Sequence, residues 1–130
     1  MSLEQFPASD RRVRAILSLL QERFSDEVSV QELARAVNLS ARHLSHLFKR
    51  ETSMTCLAFQ RILRMEKAKG LLESTHLSVK QVMSQVGIRD QSHFVRDFEA
   101  KYGLSPAKFR LRFFSDVNIQ QHGPRDSKMS

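Results

Sequence analysis

The stretches SVQELARAVN at residues 29–38 and SVKQVMSQVG at residues 78–87 are two versions of one pattern. Each opens with Ser-Val, spaces its apolar residues as a helix does, and ends in a residue that tolerates a positive φ, Asn38 in one and Gly87 in the other. Each also carries a capping box, since a Glu or Gln follows the opening serine by three positions. Both stretches therefore predict a short capped helix that ends in a tight turn.

The similarity between the two copies continues downstream. After one extra residue in the second turn, residues 43–60 (HLSHLFKRETSMTCLAFQ) align with residues 93–110 (HFVRDFEAKYGLSPAKFR). The identical pairs include Ser29/Ser78, Val30/Val79, Val37/Val86, His43/His93, Phe48/Phe98 and Phe59/Phe109. Matched caps, turns and aromatic residues indicate a duplicated unit of helix, tight turn and second helix. That is the helix-turn-helix pattern, whose second helix enters a DNA major groove, although an ordinary helical hairpin shares it.

Helical periodicity accounts for the rest of the chain, so the predicted fold is all-α, with two helix-turn-helix subdomains joined by a long linker helix and about seven helices in total. The predicted helix caps are Asp10, Ser29, Ser40, Thr55, Ser78, Asp90 and Ser105. The expected organisation is an N-terminal extension or cloning remnant at 1–9, a first subdomain at 10–54, the linker helix at 55–74, a second subdomain at 75–114 and a loose polar tail at 115–130.

The composition favours a folded protein with a polyanionic partner. Lys and Arg number 21 against 14 Asp and Glu, which gives a net charge of +7, and 41% of the residues are hydrophobic. Nucleic acid is the commonest partner of so basic a domain, although simple solubility also explains the charge. Cys56 is the only cysteine, so no disulfide can form within the chain, and no apolar run is long enough to span a membrane. We expect a cytoplasmic protein without a metal or other cofactor.

The outward faces of the second helices favour DNA over a plain hairpin. If the apolar residues of each helix point inward, polar side chains form a stripe on the opposite face. Arg suits guanine, Gln suits adenine, and Val suits the thymine methyl group. The predicted base-reading residues are Arg42, Ser45 and His46 in the first helix (40–52) and Gln91, Ser92, Val95 and Arg96 in the second (90–102).

Other side chains are candidates for contact with DNA phosphates. They are Ser29, Ser40, His43, Lys49, Arg61, Ser78, His93, Lys108 and Arg110. Further basic residues, Arg64 among them, join a wider set of which we expect fewer than half to make such contacts. A linker of about 20 residues spans about 30 Å, close to the ~34 Å repeat of DNA, so it would hold two reading helices over successive major grooves.

These stretches resemble the DNA-binding domain of AraC/XylS-type transcription regulators. The similarity is carried by 29–50 (SVQELARAVNLSARHLSHLFKR), by the pattern Arg64-x-x-x-Ala68-x-x-Leu71-Leu72 and by 91–110 (QSHFVRDFEAKYGLSPAKFR), and it covers residues 10–114. The resemblance implies binding to double-stranded promoter DNA, usually with activation and with RNA polymerase as a partner. It also maps the base-reading positions onto the same residues named above.

The sequence departs from the family pattern at two places. Glu99 stands where the family often has Lys, and Ile88 replaces a frequent Phe. Most members also carry a separate effector or dimerisation domain, which is not visible in this sequence. We therefore expect either a stand-alone regulator or a fragment of a longer one, monomeric in this region unless such a domain dimerises it.

Three other functions remain open from the sequence. An enzyme would need a reactive centre, and Cys56 as nucleophile or methyl acceptor is the one candidate. Cys56 takes the place that Pro106 has in the second copy, so we expect an inert residue at a helix start. A helical protein-interaction adaptor would explain the fold but not the basic charge. A nonspecific architectural protein would bind any duplex equally.

Overall fold

The computed structural model of the protein describes residues 10–122, with side chains as far as residue 115. The described part of the chain consists of seven α-helices and no strand, which confirms the predicted fold class. The helices are α1 (Arg11–Glu22), α2 (Val30–Ala36), α3 (Ala41–Thr52), α4 (Cys56–Ser74), α5 (Val79–Val86), α6 (Gln91–Tyr102) and α7 (Pro106–His122). None of these helices is long and apolar enough to cross a lipid bilayer.

The helices begin where the sequence places their caps. Ser29 forms the predicted capping box with Glu32, and Ser78 forms the equivalent box with Gln81. At the other helix starts a side-chain oxygen also accepts a hydrogen bond from a first-turn backbone N–H; these caps are Asp10, Ser40, Thr55, Asp90 and Ser105. Local hydrogen bonds of this kind satisfy N–H groups that the helix itself cannot, so they fix where each helix starts.

The duplicated pattern is also visible in the backbone conformation. Asn38 and Gly87, which end the first helix of each copy, have φ values of 60° and 79°. The end of the second helix repeats this, with φ values of 67° at Ser53 and 87° at Gly103. Gly and Asn adopt a left-handed conformation more readily than other residues do. Of the four residues with positive φ, Ser53 is therefore the one whose type suits that conformation least.

The chain divides into two compact units within α4, between Lys67 and Ala68. In the first unit α1, α2, α3 and the start of α4 enclose a core in which the rings of Phe48 and Phe59 meet edge to face at 6.2 Å. In the second unit Phe98 is fully buried, with the ring of Phe109 at 5.4 Å. The residues that match in the two copies therefore occupy equivalent places in two separate cores.

The last helix is longer than predicted. We expected a short helix through Phe113 and a loose tail from 115, whereas α7 continues to His122. Residues 116–122 contain neither Gly nor Pro, and the helix-breaking pair Gly123-Pro124 comes only afterwards. The expectation of a loose tail is therefore wrong for 115–122, while the predicted extension at 1–9 and the rest of the tail lie outside the described residues.

Candidate nucleic-acid interface

The outer face of α3 carries the first set of predicted base-reading residues. Leu44, Leu47 and Phe48 are at most 2% exposed, so this side of the helix packs against the core of the first unit. Arg42, Ser45 and His46 are all exposed, and Lys49 and His43 flank them on the same helix. The Ser40 hydroxyl accepts a hydrogen bond from the His43 N–H at 3.1 Å and fixes the first turn. The first unit thus presents a row of hydrogen-bonding side chains on one helix face.

The outer face of α6 has the same design with different side chains. Phe94 and Phe98 are at most 1% exposed and anchor the helix in the second unit. Gln91, Ser92 and Arg96 are exposed and Val95 is half-exposed. These four predicted residues line a shallow surface groove together with Glu99 and Ala100. The two copies therefore combine nearly the same backbone pattern with unlike outer side chains.

The start of α6 carries a pair of hydrogen-bonded side chains, His93 and Asp90. The His93 backbone N–H donates to Asp90 Oδ1 at 3.1 Å, and the His93 ring Nδ1 lies 2.7 Å from Asp90 Oδ2. These hydrogen bonds, the backbone one first, lower the pKa of the Asp90 carboxyl below its usual range. His93 was predicted to contact a phosphate, and its ring is exposed but already bonded to the Asp90 carboxylate.

The other phosphate candidates differ in how accessible their polar groups are. The Ser29 and Ser78 hydroxyls are engaged in their capping boxes, where each accepts from a backbone N–H at 3.1 Å. The candidates with exposed side chains outside those boxes are Ser40, His43, Lys49, Arg61 and Lys108. A lysine or arginine of this group brings a full positive charge to the surface, which suits contact with a phosphate.

Arg110 is half-buried and its guanidinium bonds within the second unit, while its phosphate contact stays a prediction. Its Nε donates to the Leu72 carbonyl at 3.3 Å, and its Nη1 donates to the Leu77 carbonyl. Those carbonyls belong to the end of α4 and to the segment that leads into α5, where no helical partner is available for them. Arg110 therefore ties the connection ahead of α5 to α7.

An equivalent tie exists in the first unit. Gln60, which aligns with Arg110 in the repeat, is 5% exposed and donates to the carbonyls of Phe24 and Asp26 at 3.2 and 2.9 Å. Arg64 reaches the same two carbonyls at 2.7 and 2.8 Å, so its guanidinium also ties the segment between α1 and α2 to α4, and its place in the wider phosphate set stays a prediction. Sequence reasoning missed these ties, although the pairing of two long polar residues at matched positions was a usable signal.

Cys56 lies at the start of α4, as predicted. Its side chain is 3% exposed, and burial raises the pKa of the thiol to about 11. The thiolate is the reactive form of cysteine, so a thiol that is buried and protonated at neutral pH is a poor nucleophile.

Comparison with known proteins agrees with this architecture. Residues 33–112 match a family model described as a helix-turn-helix domain. The chain is 33% identical over 113 residues to the arabinose operon regulatory protein of Escherichia coli, and 31% identical over 108 residues to the transcriptional activator RhaS of an Enterobacter species. These matches take in 86% and 83% of this chain but only 39% of either relative, so the chain spans well under half of their length.

A solved structure has the same fold. The DNA-binding domain of AdpA, a global transcriptional factor solved in complex with a target DNA, superposes with a TM-score of 0.75 at 23% identity, covering 82% of this chain and 96% of that domain. The duplicated helix-turn-helix units and the family match agree: the chain belongs to the AraC/XylS family of helix-turn-helix transcription regulators.

Proposed function

We propose that the protein binds a specific sequence of double-stranded DNA and regulates transcription, with α3 and α6 as its reading helices. The observation that carries the proposal is the pair of outer helix faces, each anchored by buried aromatic residues and each lined by side chains that suit base edges. A hairpin that served only as a scaffold would not need two such rows at equivalent places of a repeat.

Each reading face has its own chemistry. Arg42 and Arg96 each carry a guanidinium that can fork onto the O6 and N7 atoms of a guanine, and Gln91 can bracket an adenine. Val95 offers a methyl surface to thymine, and the remaining readers, Ser45, His46 and Ser92, supply hydrogen bonds. Because the two faces differ, a single chain would recognise an asymmetric site rather than a palindrome.

The affinity for DNA comes mainly from phosphate contacts. With a net charge of +7, the chain has enough basic groups to release several counterions on binding. Lys49, Arg61 and Lys108 are exposed and carry the charge for such contacts, and His43 and Ser40 adjoin the first reading face. Binding should therefore weaken steeply as salt concentration rises.

We propose that the linker helix sets the spacing of the two half-sites. α4 has 19 residues, so it rises about 28 Å from end to end, close to the ~34 Å of one DNA turn. We infer that the two reading helices enter successive major grooves on one face of the duplex.

The family relatives support the regulatory role. One is named an operon regulatory protein and another a transcriptional activator, and a protein of the same fold was solved on its target DNA. We infer that this chain is a cytoplasmic, non-enzymatic module that acts at promoters, that it activates with RNA polymerase as its partner, and that it binds DNA as a monomer unless a further domain dimerises it.

Selection of binding sites from a random duplex pool tests the proposal. We expect one asymmetric sequence to be enriched and then bound at least ~10³-fold more tightly than scrambled duplex at physiological salt. Equal binding to all duplexes would contradict sequence specificity and indicate an architectural protein. If no duplex is retarded in a gel-shift assay at low salt, the result would contradict DNA binding and indicate a protein-interaction adaptor.

A further inference from the structure

The reading face of α6 includes one carboxylate that has no counterpart in α3. Glu99 is exposed and lines the same groove as Gln91, Val95 and Arg96. It follows Arg96 by three positions and Val95 by four, so it continues their stripe by one further helical turn. In the repeat it aligns with Lys49, and the two copies therefore carry opposite charges at one equivalent position.

The Glu99 carboxylate is not neutralised by the protein in the described part of the chain. Arg96 stands at the spacing at which helical ion pairs form, yet no ion pair within 4 Å joins the two side chains. Both charged groups are therefore presented separately to whatever enters the groove. A carboxylate is repelled by phosphates. When a duplex docks on α6, the Glu99 carboxylate can therefore make a favourable contact only by accepting a hydrogen bond from a donor on a base.

The donors and acceptors that each base presents in the major groove indicate which base supplies that donor. Guanine presents two acceptors and thymine presents one, and both repel a carboxylate. Adenine has an amino donor, but its N7 acceptor lies beside it. Cytosine presents its N4 amino donor with no acceptor on its own edge, which makes it the base from which a glutamate accepts best.

We propose that Glu99 is a specificity-determining residue that selects cytosine at the base pair next to the one read by Arg96. Three helical residues rise about 4.5 Å, and successive base pairs are ~3.4 Å apart, so adjacent pairs match the spacing of the two side chains. The inference rests on the proposed function, because it requires α6 to lie in a major groove. It goes beyond that function by naming the base that this chain's own acidic residue selects.

Site selection with the wild-type chain and four variants tests the inference. Arg96→Ala should remove the preference at one base pair, which locates the pair that Arg96 reads. At a pair adjacent to it, the wild-type protein should prefer cytosine at least about five-fold. Glu99→Ala should lose the cytosine preference, and Glu99→Gln should shift it towards adenine, since an amide both donates and accepts. The matched control is Asp97→Asn, which makes the same charge change on an exposed residue of α6 that does not line the groove.

The outcomes separate this inference from the function on which it rests. If Asp97→Asn keeps the cytosine preference while both Glu99 variants lose it, the assignment holds, and overlaid circular dichroism melts will show that all variants fold. Enrichment of one site with an unchanged cytosine preference in Glu99→Ala would overturn the role of Glu99 and leave sequence-specific binding intact. If the wild-type protein enriches no sequence, both proposals fail.

Discussion

Replacing Arg110 by methionine separates an internal role for this residue from contact with DNA. The substitution keeps most of the apolar stem and removes the two hydrogen bonds from the guanidinium to the carbonyls of Leu72 and Leu77. Hydrogen bonds from a charged donor contribute about 1.5–3 kcal/mol each, and the half-buried setting lets water replace part of that. We expect the free energy of unfolding to fall by about 2–4 kcal/mol.

Urea unfolding followed by tyrosine fluorescence measures this loss of stability in the second unit. Tyr102 is the only tyrosine of a chain without tryptophan, and its ring lies 6.3 Å from Phe109, next to Arg110 in sequence. The matched control is Lys108→Met, since Lys108 is exposed on the same helix. It should change stability by less than about 0.5 kcal/mol.

The salt dependence of DNA binding supplies the second half of the test. If Lys108 neutralises a phosphate, Lys108→Met should reduce the slope of log affinity against log salt by about 0.9, whereas Arg110→Met should leave the slope unchanged. Wild-type stability of Arg110→Met together with a reduced slope would refute the internal role and support the phosphate contact.

Three further changes have defined outcomes. Phe98→Ala should destabilise the second unit by about 3–5 kcal/mol, because a fully buried ring is lost between Phe94 and Phe109; a calorimetric transition at the wild-type temperature would contradict its burial. Arg96→Ala should cost about 1–3 kcal/mol of binding and relax the preference at one base pair, whereas equal weakening on every duplex would identify a phosphate contact. The lowered pKa of Asp90 means that its stabilising effect is present above the ordinary carboxyl pKa of 3.8 and is lost as the pH falls through the folded-state value. The stability difference between wild type and Asp90→Asn should therefore shrink as the pH falls below about 3.8, and a difference that grows on acidification would disprove the pairing.

Features of the fold that depend on neighbouring residues could be predicted from the sequence. Caps such as Ser78 and turn residues such as Gly87 act through bonds and backbone conformations within a few positions, so their side-chain types are informative by themselves. Helical periodicity likewise separates buried Phe94 from exposed Arg96, because one turn of helix decides which face each occupies. The predicted reading faces follow from these local rules.

Features that depend on packing between distant segments leave no signal within a few positions of the residue itself. Arg110 looks like any surface arginine in the sequence, and only the arrangement of α7 against the end of α4 brings carbonyls 33 and 38 positions away within its reach. The same holds for Gln60, whose partners lie 34 and 36 positions away in the first unit. Long side chains that satisfy such carbonyls carry no local signature.

The spacing of the two reading helices is the claim on which the proposed mode of binding depends. The most direct measurement is the affinity for the selected duplex after insertion of 5 or of 10 base pairs between its two halves. We predict that both insertions reduce binding to the level of a single half-site, because the proposed mode of binding has both reading helices contact one face of the duplex at one spacing. Unchanged affinity with either insertion would show that the two halves are not read together at one spacing, and would contradict the proposed mode of binding.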